Sequence, residues 1–230
     1  MKRISIGVVA LVSACAWAAD PVTPSAPAVS VTASATTSVA NDRMFAWLRA
    51  EVDNADPVRA AADVNARIGK AIERAKGTPG VDVKTSGYSS YQFTDKAVTR
   101  WRVQQSISLE SSDFAALAAL LTRMQAEDAL VMSGMSFAVS NDARRKVEDA
   151  LTQEAIKGWQ ARAQSASRAL GFDAWRVGHV NVMTGEPMRP QPMMRMAAAA
   201  AAGGGAPVNA EGGNTDITVT VSGDALLGGR

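Results

Sequence analysis

One imidazole and one thiol, His179 and Cys15, are all that the 230-residue chain offers of those two groups, and this narrows its chemistry. A triad needs a base held beside a nucleophile, and a zinc centre needs three or four ligands. His179 stands in step with Trp175 and Val177, with no acid or nucleophile placed near it by spacing, so it reads as a structural strand residue. Carboxylates neighbour one another at Glu127-Asp128 and Glu148-Asp149. Adjacent residues on a helix or at its end point in different directions, and both pairs read as surface charge. A hydrolase using two acids from distant elements would need a pair that spacing cannot reveal. The chain lacks G-x-G-x-x-G, a P-loop, H-E-x-x-H and G-x-S-x-G. Gly203-Gly204-Gly205 follows alanines, where a phosphate cradle would follow a strand.

Two softer features remain. Tyr88, Tyr91, Phe93 and Trp101 gather on one expected strand pair, and Phe45 and Trp47 on another. Cross-strand packing is the simpler account of them, and a stacking platform for sugars or bases the functional one. Met188, Met193, Met194 and Met196 lie in a low-complexity tract. Four thioethers suit Cu(I) or act as oxidant scavengers, although such methionines more often cover apolar surface. No catalytic, cofactor-binding or metal-binding residue is assigned, no cofactor is expected, and the chain reads as a non-enzyme.

The elements that position these residues begin after a leader. Lys2 and Arg3 precede an uncharged apolar run, Ile4 to Ala19, with a small-residue exit at Ala16-Trp17-Ala18. This pattern predicts a secretory signal over residues 1–18. Of the 24 basic residues, Lys2 and Arg3 leave with it, so 22 remain against 22 acidic ones. A neutral exported chain disfavours a nucleic-acid partner, which calls for a basic face. Cys15 also leaves, so no disulfide or thiol is expected. In a competing reading Val12-Ser13-Ala14-Cys15 resembles a lipobox, making Cys15 a lipid anchor at the outer membrane. Past Ala19 no run approaches the ~18 apolar residues of a membrane helix.

Residues 19–28 read as a flexible lead-in. Val29 to Val39 and Met44 to Val52 alternate as strands, and the Asn41-Asp42 turn signal between them predicts a hairpin. Asp56-Pro57 caps a helix running to Gly77, with Val58, Ala61, Ala62, Asn65, Ile68, Ala71, Ile72 and Ala75 as its stripe. Strands Val81–Phe93 and Ala97–Glu110 follow, the second alternating Trp101, Val103, Gln105, Ile107 and Leu109 with polar residues. Ser111 or Ser112 caps a helix carrying Phe114, Leu117, Leu120, Leu121 and Met124. After a strand at Leu130–Ser140 comes the longest helix, Asn141–Leu170, striped by Val147, Leu151, Ala155, Trp159, Ala163, Ala166 and Leu170. Its expected i,i+4 ion pairs are Arg144 with Glu148 and Arg145 with Asp149. A strand at Phe172–Met183, a Met/Ala/Gly excursion over 184–214, a strand through Ile217, Val219 and Val221, and a tail over 223–230 complete the chain. The order predicts an α+β fold, an antiparallel-rich sheet with helices packed on it, as a single domain over 29–222.

Gly80-Val-Asp-Val-Lys-Thr-Ser-Gly-Tyr88, Trp101-Arg-Val-Gln-Gln-Ser-Ile-Ser-Leu109 and Ser133-Gly-Met-Ser-Phe-Ala-Val-Ser140 before a long helix resemble the SIMPL-domain family of bacterial envelope proteins. That is the family of YggE and of a periplasmic immunogen. Pro207 to Val221 is similar to the family's usual ending. Where the family's first strand carries V-x-G-x-G, this chain has Val31-Thr-Ala33-Ser-Ala35. The resemblance implies a periplasmic α+β protein that forms homo-oligomers or binds envelope partners, in envelope maintenance or oxidative-stress tolerance, with no catalytic residues to carry over. The alternatives are a ligand- or metal-binding module using the Met-rich segment, and a carboxylate-based hydrolase.

Overall fold

A computed structural model describes residues 27–96, 98–185 and 211–229. The expected export signal, Cys15, nearly all of the lead-in and the four tract methionines lie outside the described residues. The elements are β1 Ala28–Ala40, β2 Arg43–Asn54, α1 Pro57–Lys76, β3 Val81–Asp95, β4 Val98–Ser111, α2 Phe114–Glu127, β5 Val131–Ala138, α3 Asn141–Ala169, β6 Ala174–Gly185 and β7 Asn214–Gly228. The strands form two antiparallel sheets, ordered β3-β4-β2-β5 and β1-β7-β6. The fold is α+β.

β2-α1-β3-β4-α2-β5 is a split βαβ of ferredoxin-like connectivity. Alternation along β2 turns Met44, Ala46, Leu48 and Ala50 inward, where they meet Val103, Ile107 and Leu109 of β4 and the inner faces of α1 and α2. Asp56 caps α1 by accepting from Val58 N at 2.8 Å, with Pro57 opening the helix. The buried line of α1 is Ala60, Val64, Ile68, Ala71 and Ala75, which differs in phase from the expected stripe. At 3.6 residues per turn these five fill an arc of about 80°, and Val58 falls about 120° from its centre. Val58 is accordingly 75% exposed. The cap of α2 is Asp113, whose Oδ1 accepts from Ala116 N at 2.9 Å, and neither Ser111 nor Ser112. Ser111 instead accepts from Asp113 N and donates to the Gly80 carbonyl, tying α2 to the start of β3.

β1-α3-β6-β7, with strand order β1-β7-β6, repeats the connectivity of β2-α1-β3-β4. The split βαβ thus sits between β1 and α3. A second core joins Val31, Ala33 and Ala35 of β1, Ile217, Val219 and Val221 of β7, and Leu151, Ala155, Trp159 and Ala163 of α3. Where the SIMPL pattern has glycine, Ala33 is buried, and its Cβ lies 3.5 Å from the position a Cβ on Gly158 would take. Small residues on both elements let α3 settle close to the sheet. The stripe of α3 continues from Ala163 to Ser167, not to Leu170, which is 53% exposed. Ser167 is satisfied there by donating to the carbonyls of Phe172 and Ala174.

β1 and β2 do not form the expected hairpin. β1 pairs along its whole length with β7, from Ala28 opposite Leu226 to Ala40 opposite Asn214, while β2 pairs with β4 and β5. A tight two-residue hairpin turn needs positive φ, and neither Asn41 nor Asp42 has it. The link carries the chain from one sheet into the other. Asn41 bonds to the lead into β7, donating from Nδ2 to the Gly212 carbonyl at 2.7 Å and accepting from Thr215 at 2.7 Å. Asp42 bonds to the crossing into α3, where Ser140 donates from its N–H at 2.5 Å and from Oγ at 2.7 Å. Burial pushes the Asp42 carboxyl up, but the two Ser140 bonds and the Arg43 charge outweigh it and hold it below its ordinary value.

β7 continues to Gly228 through most of the expected tail, with Ala225 and Leu227 buried beyond Gly223. Gly223 interrupts the alternation because it faces a bulge in β6, where register slips between Val177 and Val180.

Candidate functional site

The face of the four-stranded sheet away from α1 and α2 collects the other half of the alternation: Phe45, Trp47, Arg49, Glu51 and Asp53 of β2, and Arg102, Gln104, Ser106, Ser108 and Glu110 of β4. One end is an ion-pair network. Arg102 clasps Asp53 through Nε at 2.7 Å and Nη2 at 2.6 Å, reaches Glu51 at 3.1 Å, and stands 4.8 Å above the Phe93 ring. Gln104 donates to Glu51 at 2.6 Å. The bidentate Arg102 bond holds the Asp53 carboxyl below its usual range, and Asp53 in turn raises the guanidinium. These groups satisfy one another, which makes this end structural.

The other end is built for contact. Phe45 and Trp47 project from the same face two residues apart, with ring centroids 6.4 Å apart and planes within 19°. Trp47 stands opposite Gly134 of β5, and the position a Cβ would take there is 3.6 Å from its Cε3. That is ordinary van der Waals contact, so the indole borders the neighbouring strand, and it remains 37% exposed. Beside the rings, Asp82 of β3 and Glu110 of β4 are direct cross-strand partners, and Arg43 lies 3.7 Å from Glu110.

Three cavities meet here. One of about 200 Å³ is lined by Phe45, Trp47, Asp82, Lys84, Ser108 and Glu110. A second of about 240 Å³ adds Arg43 and Ser112 to Asp82 and Glu110. The third, about 700 Å³, runs from Arg43, Phe45 and Glu110 to Ser140, Arg144 and Arg145. Their shared walls make one groove from the aromatic pair across the end of the sheet to α3. At its far end Arg144 pairs with Glu148 at 3.9 Å, and Arg145 pairs with Asp142, one turn before it, in place of the expected Asp149.

The aromatics were expected to pack across strands; Phe45 and Trp47 instead stack along one strand, and Phe93 meets Arg102. Tyr88 is 55% exposed. His179 is exposed within the β6 bulge. Glu127 and Asp128 do not diverge as surface charge: both bind Arg74, at 2.6 and 3.1 Å, and Asp128 is buried. Asp128 lies just past the last helical residue, so the helical geometry that separates neighbours no longer applies. Among the described residues, no three His, Cys, Asp or Glu side chains converge as a metal site. The Asp82–Glu110 pair was missed by sequence reasoning, because only the β3–β4 register brings the two acids together.

No curated protein matches the chain. Among solved structures, a hydantoinase/carbamoylase family amidase from Burkholderia ambifaria is similar at 14% identity and a TM-score of 0.27, over 44% of this chain and 28% of that one. A putative amidohydrolase/peptidase from Burkholderia cenocepacia is similar at 15% identity and 0.26, over 43% and 28%. The chain thus spans little more than a quarter of either enzyme. The SIMPL family model, described as a protein of unknown function (DUF541), matches residues 29–224, from β1 into β7 and across both sheets. The chain belongs to the SIMPL family.

Proposed function

We propose that this chain is a non-enzymatic protein of the bacterial envelope, exported to the periplasm, that acts by assembling with copies of itself or with envelope partners in envelope maintenance or stress tolerance. Family membership and the expected export signal support the location. The assembly rests on one observation, the outer edge of β6. β6 is the last strand of its sheet, and Val177, Val182 and Met183 on it are 55%, 43% and 52% exposed. Among the described residues α3 lies mainly over β1 and β7, with Trp175 and Val180 of β6 reaching the same core. An edge strand presents a row of open N–H and C=O groups, which proteins blunt with lysine, proline, other charges or bulges. β6 has no lysine or proline; Arg176 and the bulge between Val177 and Val180 lie in its first half, and Asn181 to Gly185 beyond them carry none of these devices. Antiparallel pairing of β6 with its counterpart in a second copy would extend the sheet and cover these side chains with two-fold symmetry. Light scattering on the mature chain tests this: it gives an oligomer that Val182→Lys dissociates, and a strict monomer at micromolar concentrations overturns it.

The opposed Asp82 and Glu110 are the one feature favouring a hydrolase, since glycosidases work with facing carboxyls. Glu110 is already engaged by Arg43, which suits it to holding a ligand's hydroxyl.

A further inference from the structure

We propose that the groove from Trp47 to Arg145 binds a carbohydrate, specifically a short linear glycan bearing a carboxylate. This is separate from assembly through β6, which lies on the other sheet.

The argument begins with Trp47. A large aromatic exposed on a central strand is normally covered or turned into the core. Here it stays 37% exposed, in ordinary contact with Gly134 of β5, and lines a cavity. Phe45 stacks beside it, its plane within 19°. Two near-parallel rings lining one cavity on a rigid sheet suit a ligand with a flat apolar face. A pyranose ring has such a face of C–H groups, and its hydroxyls point outward round the edge.

The rim matches that edge. Asp82, Glu110, Ser108 and Lys84 line the same cavity as the rings. Carboxylates accept from hydroxyls, the ammonium donates to them, and the serine does either. A few polar groups converging on an apolar floor is the ordinary form of a small-ligand site. Asp82 and Glu110 would repel a phosphodiester beside the stacking surface, which argues against nucleotides or single-stranded nucleic acid.

Charge changes along the groove. Past Glu110 the lining includes Arg43, Arg144 and Arg145, which also pair with Glu110, Glu148 and Asp142. Guanidinium groups recognise carboxylates in bidentate geometry. A sugar chain stacked on Trp47 and Phe45 would bring its next units to these arginines, which favours an acidic substituent there.

The test uses the mature chain, titrated with neutral oligosaccharides (cellohexaose, chitohexaose) and acidic ones (oligogalacturonate), and read by calorimetry and tryptophan fluorescence. Oligogalacturonate is expected to bind more tightly than the neutral chains. Trp47→Ala should weaken binding at least roughly tenfold, as truncated tryptophan anchors do. Arg145→Ala should remove the preference for acid while leaving the thermal midpoint unchanged. Asp82→Asn, at an exposed position, should also weaken binding and serves where Trp47→Ala does not fold. The assembly-defective Val182→Lys should bind as the parent does, so failure of the β6 reading leaves this one standing. The proposal is overturned if neither class binds at millimolar concentration, if binding survives both Trp47→Ala and Asp82→Asn unchanged, or if only an oligonucleotide binds.

Discussion

Trp159 is where the second core is most exposed to a single substitution. It is 2% exposed at the centre of α3, its indole N–H donates to the Val31 carbonyl of β1 at 3.0 Å, and its ring meets Trp175 edge-on at 5.7 Å. One side chain therefore links α3, β1 and β6. Trp159→Phe keeps most of the ring and separates the polar contribution from the rest. Losing the buried donor costs about 1 kcal/mol, and the smaller ring leaves a void worth roughly another 1 kcal/mol. In a chain of this size about 2 kcal/mol corresponds to a fall of roughly 4–8 °C in Tm. Trp159→Ala should cost about 3–5 kcal/mol, a large part of the ~5–15 kcal/mol that holds a typical fold. Urea unfolding followed by far-ultraviolet circular dichroism reads both variants without relying on the fluorophore removed. A Phe variant within about 0.5 kcal/mol of the parent would refute the reasoning, because surface substitutions do no more than that.

Two glycines make an opposed pair of predictions: a Cβ on Gly223 would sit 2.4 Å from the His179 carbonyl, whereas one on Gly69 of α1 meets nothing within 4 Å. Gly223→Ala should destabilise by about 1–3 kcal/mol, and Gly69→Ala should stabilise by up to about 1 kcal/mol, both read from urea midpoints. Asn41→Ala removes the hydrogen bonds to the Gly212 carbonyl and from Thr215 and should cost about 1–3 kcal/mol. Asp53 is held below its ordinary 3.8 by Arg102, so the stability it contributes is complete above that value and lost as pH falls through the folded one. Asp53→Asn should therefore flatten the acid limb of stability against pH, and an unchanged limb would show that the Arg102 clasp does not stabilise the fold.

Much of the fold is legible along the chain, for a physical reason. Where an element buries one face only, period carries the information: Met44, Ala46, Leu48 and Ala50 alternate onto β2's inner side, and Leu117, Leu120, Leu121 and Met124 recur on α2. Caps are equally local, as Asp56 and Pro57 show. The phase of α1 is less legible, since its many alanines allow two stripes, and only contact with the sheet selects Ala60 and Val64 over Val58.

Pairing between distant segments is what the chain by itself left undecided. Asn41-Asp42 has hairpin composition, yet β1 finds its partner in β7, more than 170 residues away, because both lie under α3. The groove depends on the same kind of decision. Counted back from the β3–β4 turn, Glu110 would face Val83; the extra residue between Thr85 and Gly87 moves it opposite Asp82. Trp47 meets Gly134 because the β2–β5 register places the two opposite each other. On an unbulged strand such as β2 the sequence alone determined which residues face outward, since that follows from a period of two. Tertiary structure decided which of them meet, because register and bulges are set by packing between segments that no local pattern connects.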